Sequence, residues 1–188
     1  MTLRIFNKPI RILLWTNSFI LIAGAMLGPI YALFVEEIGG DLLDASYAFG
    51  AFALAAGITT LISGKYSDKF KEPELIVVLG YLIIGLGYLG FLLVNNIWSL
   101  FIIQIIIGLG GAIYAPAFDA IYSRHLDGHK TGREWGAWEA INYFSSAIGA
   151  VFGGLIAALL GFNFLFVAMA LLCFISAIYI YLLPRKIL

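Results

Sequence analysis

Residues 64–73 read Gly64-Lys65-Tyr66-Ser67-Asp68-Lys69-Phe70-Lys71-Glu72-Pro73. Asp68 sits among three lysines, Lys65, Lys69 and Lys71. Before this turn, residues 45–64 run for 20 positions without a charge; after it, residues 75–118 run for 44. About 20 predominantly apolar residues cross the hydrocarbon of a bilayer as a helix. A short charged turn between two such runs therefore marks a chain that leaves a membrane and turns back into it.

The same reading extends in both directions. Residues 12–35 hold 24 uncharged positions and residues 140–184 hold 45. The 44- and 45-residue runs are each enough for two spans, with turns expected at Asn95-Asn96 and at Gly161-Phe162-Asn163. The expectation is an all-α polytopic membrane protein with one domain, residues 1–188, and six spans near 12–35, 45–64, 75–94, 97–118, 137–160 and 163–184. Lipid cannot satisfy an open backbone, and these runs are too long for barrel strands. The chain is 62% hydrophobic and 12% charged. Its mean hydropathy is +1.00. A soluble domain of this size could not cover so much apolar surface. The first run is too long for the core of a signal peptide and lacks a cleavage pattern, so it reads as a retained span. The formal net charge is zero, which leaves no electrostatic footprint for nucleic acid. A single cysteine, Cys173, excludes an intrachain disulfide and a cysteine-based metal site.

With six spans the termini share a side. That side collects Arg4, Lys8 and Arg11, then Lys65, Lys69 and Lys71, then Arg124, Lys130 and Arg133, then Arg185 and Lys186, all 11 basic residues of the chain. The other side carries Glu36, Glu37, Asp41 and Asp44. The positive-inside rule puts both termini in the cytoplasm, in the cell (plasma or inner) membrane. The spans are expected to repeat as three plus three, with the longest cytoplasmic loop, Tyr122 to Trp135, between the halves.

Three stretches resemble the major facilitator superfamily, a family of secondary transporters. The 64–73 turn is similar to that family's loop between spans 2 and 3 at Gly64, Asp68 and Lys69. Lys71 stands in place of its second glycine, and Glu72 and Pro73 stand in place of basic residues. The fourth span, Gln104 to Ala112 with Pro116 and Asp119, resembles the family's at Gly108, Gly110 and Pro116, with Gln104 in its arginine position. The fifth begins Thr131-Gly132-Arg133 and continues through Gly149 and Gly153, with Gly154 where the antiporter version has proline. The resemblance covers the whole chain but only the amino-terminal half of a twelve-span transporter. It implies a half-bundle of 3+3 inverted repeats, working by alternating access against a second half.

The resemblance assigns roles residue by residue. Gly64, Asp68, Lys69, Asp119 and Arg133 form its gating loop, with Asp119 expected to pair with Lys69 or with the nearer Arg124. Asn17, Tyr31, Gln104, Tyr114, Trp138 and Asn142 are its candidate cavity lining, polar or aromatic and uncharged, which favours a neutral or amphipathic solute. Asn17 bonding a neighbouring helix, and Tyr31 in the interfacial aromatic belt, are the alternatives. Asp119 and Glu139 are candidate proton carriers, Glu139 also being in reach of Arg133. Gly28-Pro29 should loosen the first span. Gly50, Gly57 and Gly64, seven apart, and Gly149, Gly153 and Gly154 are small-residue stripes that permit close helix approach. The glycines of the third span, Gly80, Gly85, Gly87 and Gly90, are expected to pack internally. His125, Asp127 and His129 are spaced H-x-D-x-H without a second ligand cluster, which reads as a solvated loop and not a metal site. No cofactor, metal or catalytic residue is expected.

Six helices cannot enclose a path alone. The expected arrangement is a homodimer in the bilayer, span 2 of each copy on span 5 of the other, carrying a small-molecule substrate. The alternatives are half of a hetero-oligomer or of a truncated transporter, and a membrane scaffold that transports nothing. A start at Met1 and an end just past span 6, at Pro184-Arg185-Lys186, suggest a complete unit.

Overall fold

The computed structural model describes residues 6–67, 69–184 and 187–188. Every long uncharged run is helical, and no strand occurs among the described residues. Helix α1 (Lys8–Leu27) begins at Asn7, whose side chain accepts from the Ile10 amide. It passes through a 3-10 turn at Gly28–Ile30 into α2 (Tyr31–Glu37), making one span. Then follow α3 (Leu42–Ser67), α4 (Pro73–Gly90) with a 3-10 turn at Phe91–Leu93, α5 (Ile97–Arg124), α6 (Thr131–Leu160) and α7 (Phe162–Tyr181). Among the described residues, six helical segments are long and apolar enough to cross a membrane.

Local chemistry sets the helix ends. The Asp41 carboxylate accepts from the Leu43 and Asp44 amides, and Asp44 reaches back to the Asp41 amide. Asn96 and Ser99 cap each other in the same reciprocal way at the start of α5. Both satisfy amides that have no partner within the helix. Between α6 and α7 the turn is one residue, Gly161, at φ +87°. A side chain is disfavoured there, and glycine is not. Pro29 breaks its helix as expected, while Pro116 sits inside a continuous α5. A proline inside a membrane helix is tolerated where neighbouring groups satisfy the freed backbone.

Packing follows a pattern that repeats every three spans. Helix α1 lies against α6 and α7, α5 lies against α3 and α4, and α4 packs on α7. Exchanging α1 with α5, α3 with α6 and α4 with α7 maps these contacts onto themselves. The boundary between the repeats is therefore the Asn95-Asn96 turn. The loop from Tyr122 to Trp135, expected to separate them, lies inside the second unit, between α5 and α6. Its length comes from charged ends on those two helices, not from the repeat.

Glycines bring the helices together. A Cβ on Gly80 would meet the Gly110 carbonyl oxygen at 2.7 Å, and one on Gly108 the Phe52 carbonyl oxygen at 2.6 Å. Gly85, Gly87 and Gly90 face Phe174, Ile107 and Ile103, so the third-span glycines do pack internally. Ser63 donates to the Ala112 carbonyl at 2.6 Å, tying α3 to α5. Ser176 donates to the Thr16 carbonyl at 2.8 Å, tying α7 to α1. Near the acidic end, Phe34 packs edge-on to Phe91 and Phe166.

Candidate functional site

Helices α1 and α5 scarcely touch, and a cavity of ≈ 460 Å³ lies between them. Ile84 and Tyr88 of α4 and Met169 of α7 form its floor. Phe49 and Phe52 of α3 line one side, and Ser146 of α6 the other. Gly24 of α1 and Gly28 of the 3-10 turn border it and are exposed, so the cavity is a groove open on one face.

Three of the expected lining residues reach this groove: Tyr31, Gln104 and Tyr114. The break at Gly28–Ile30 carries Tyr31 to it, and the Tyr31 hydroxyl neighbours Gln104 while making no well-formed hydrogen bond. The other three lie elsewhere. Asn17 is fully buried, accepting from the Tyr81 hydroxyl at 2.9 Å, with its amide nitrogen unpartnered. Trp138 packs on Phe118, 5.1 Å between centroids. Asn142 is half-buried on α6 and does not line the groove. Sequence reading missed Phe49, Phe52, Tyr88 and Ser146. Gly24 and Gly28, four apart along the first span, were the available signal for an open face there.

Antiparallel spans collect Lys8, Arg11, Lys65, Lys69, Lys71, Arg124, Lys130 and Arg133 at one end, called the basic end here. Asp68, the centre of the expected gating loop, lies outside the described residues, as do Arg4, Arg185 and Lys186. Gly64 lies near the end of α3. Lys69 lies over the Tyr66 ring at 5.2 Å and makes no ion pair with Asp119 among the described residues. Asp119 is exposed near the end of α5 and does not pair with Arg124. Arg133 lies over the Phe6 ring at 5.8 Å, and Glu139 is exposed.

The loop between α5 and α6 is ordered by its own acids. Asp127 pairs with Lys130 at 2.9 Å and accepts from the His129 amide. Those bonds, Lys130 first, hold its carboxyl below the usual carboxylate range. Glu134, unremarked in the sequence, is buried; its carboxylate accepts from the Asp127 amide at 2.7 Å and its carbonyl accepts from the Tyr122 hydroxyl at 2.5 Å. An acid in the first turn of a helix was its signal. Among the described residues no cluster of three potential ligands could hold a metal.

The two expected stripes differ. Gly50 and Gly57 are exposed, with nothing within 4 Å of a Cβ at either; Gly64 and Gly154 are open in the same sense. Gly149 and Gly153 are buried within the chain against α1, and this corrects their expected place at an outer face. A Cβ on Gly149 would lie 2.5 Å from the Ile22 carbonyl oxygen, and one on Gly153 would strike the Met26 backbone.

A family model described as "Major Facilitator Superfamily" matches residues 13–187. "Multidrug resistance protein MdtG" of Dickeya zeae (strain Ech586) is 26% identical over 175 residues, 91% of this chain and 43% of that protein. MdtG of Proteus mirabilis (strain HI4320) is 27% identical over 172 residues, 89% and 42% of the respective chains. "Uncharacterized MFS-type transporter YitZ" of Bacillus subtilis (strain 168) is 22% identical over 160 residues, 83% of this chain and 94% of that protein. The chain thus spans about two fifths of the length of the MdtG relatives, and nearly all of the Bacillus subtilis one.

Proposed function

The chain belongs to the Major Facilitator Superfamily, and from that premise we propose that it is one six-span side of a secondary transporter, completed by a second copy of itself. The observation that carries this reading is the groove between α1 and α5, open along one face. Helices α3 and α6 flank that face and are the least buried of the spans, whereas α4 and α7 lie behind it. A second half-bundle on the open face would turn the groove into a closed path, and rocking of the halves would open it to each side in turn. The membership points to transport and not to catalysis.

Facing α3 with α6 of the partner uses the exposed stripe Gly50, Gly57 on one helix. On the other it uses the open side of α6 at Ala147 and Gly154, Gly149 and Gly153 being occupied by α1. The termini and the basic end are cytoplasmic in this reading. Asp68 then meets the amino-terminal start of the partner's α6, where a carboxylate gains roughly 0.3–1 kcal/mol. The solute is small and uncharged or amphipathic. Among the described residues the groove offers Tyr31, Tyr88, Gln104, Tyr114 and Ser146 as polar contacts and no charged side chain.

A heteromeric second half is the competing reading, favoured by the MdtG relatives being more than twice the matched length. One experiment separates the two. Ala53 and Ala147 are exposed on α3 and α6, and counting from the helix ends at 1.5 Å per residue puts them at the same depth. An Ala53→Cys/Ala147→Cys chain, purified alone, should cross-link to twice its mass. A strict monomer would remove the homodimer. Uptake of uncharged amphipathic dyes into liposomes then tests transport. Gln104→Leu should raise the concentration needed for half-maximal uptake about five-fold, as for one lost hydrogen bond of ~1 kcal/mol. No uptake by the cross-linkable dimer would favour a scaffold.

A further inference from the structure

We propose that the outer face of α1 at the basic end binds one anionic diacyl phospholipid. Arg11, Trp15 and Phe19 lie four apart, so they form one ridge along the helix. That ridge borders two grooves. One, of ≈ 580 Å³, runs between α1 and α7 and is walled by Ile175, Ser176 and Tyr179. The other, of ≈ 680 Å³, runs between α1 and α6 and is walled by Ile141, Phe144 and Ile148. Both lie on the side of α1 away from Gly24 and Gly28, so this site is separate from the central groove. Trp15 is 66% exposed on the crest between them.

Charge collects at the mouths of both grooves. Lys8 and Arg11 border the first, Arg11 and Phe6 the second, and Arg133 lies over the Phe6 ring. Neither Lys8 nor Arg11 has a carboxylate within ion-pair distance among the described residues. Two apolar channels under one cluster of unneutralised cations match one headgroup carrying two chains. The phosphate lies against Lys8 and Arg11, one acyl chain runs down each side of the ridge, and Trp15 stands at headgroup depth. A neutral lipid would fill the channels and leave the cations unmatched. A free anion would do the reverse.

Native mass spectrometry of the whole chain in detergent tests this, with equimolar phosphatidylglycerol and phosphatidylcholine. Wild type should retain phosphatidylglycerol about five-fold or more over phosphatidylcholine, and should retain single-chain lysophosphatidylglycerol less than either diacyl form. Arg11→Gln, or Lys8→Gln should the first not fold, should lose about five-fold in phosphatidylglycerol, the effect of one basic residue near an anionic headgroup. Arg124→Gln, at the same end but bordering neither groove, should lose nothing. Equal retention of the two diacyl lipids, or equal loss in the Arg11 and Arg124 variants, would overturn the proposal. So would equal retention of the lyso form, or displacement of bound phosphatidylglycerol by inorganic phosphate.

Discussion

Gly57 and Gly153 are both glycines in long apolar helices, yet a methyl group meets nothing at the first and the Met26 backbone at the second. Gly153→Ala should therefore lower stability by roughly 1–3 kcal/mol through overpacking, read as a lower melting temperature in detergent. Gly57→Ala should leave the single chain as stable or up to about 1 kcal/mol more so, since alanine favours helix, while weakening the cross-linked dimer. Tyr81 supplies the bond to the buried Asn17 oxygen. Tyr81→Phe should cost about 0.6–1.7 kcal/mol, the range of side-chain hydrogen bonds between membrane helices, in the same melting assay. Both residue types were visible in the sequence. Which glycine is covered was not, because burial depends on a partner helix more than a hundred positions away, as Gly153 on Met26 shows.

Helix limits were largely legible, because charge and capping residues act locally. The Asn95-Asn96 turn, the Gly161 corner and the break at Pro29 all lie where the sequence places them. The long ends of α5 and α6 did not follow from apolar runs, since charged residues such as Asp119, Arg124 and Glu139 extend the helices past the hydrocarbon. The loop that joins them depends on Asp127. Its carboxyl pKa is lowered when folded, so its contribution to loop order is complete above the ordinary carboxylate range. That contribution disappears as pH falls through the lowered value. An NMR titration should find Asp127 protonating below ordinary aspartates in wild type. In Lys130→Met it should move back up, because the hydrogen bond from Lys130 is the largest cause of the shift.

As a whole molecule the chain has a closed back and an open front. Helices α4 and α7 are buried among their neighbours, while α3 and α6 each lean chiefly on one helix. Within a copy the two flanks lie on opposite sides of the groove, Phe49 and Phe52 on one and Ser146 on the other, so a disulfide between Ala53→Cys and Ala147→Cys is expected to join two chains. Pairing Ala53→Cys instead with Leu171→Cys, exposed on α7, should give no cross-link, because α7 faces away from the open side. Cross-linking through α7 would sink the arrangement. If the dimer holds, Asp68→Asn should loosen its closure at the basic end and speed thiol labelling of an Ala147→Cys reporter without changing the helical content.

Read alone, the order of residues determined that the chain crosses a membrane six times, which end is basic, and which family it is similar to. Those properties need only local hydropathy, charge and capping. Only the tertiary structure decided that Gly149 and Gly153 are consumed inside the chain, that Asn17 and Trp138 are packing residues, and that Phe49, Tyr88 and Ser146 line the groove. Each of those depends on which face of a helix meets which neighbour, and a helix that is apolar on every side carries no sign of that choice in its own sequence.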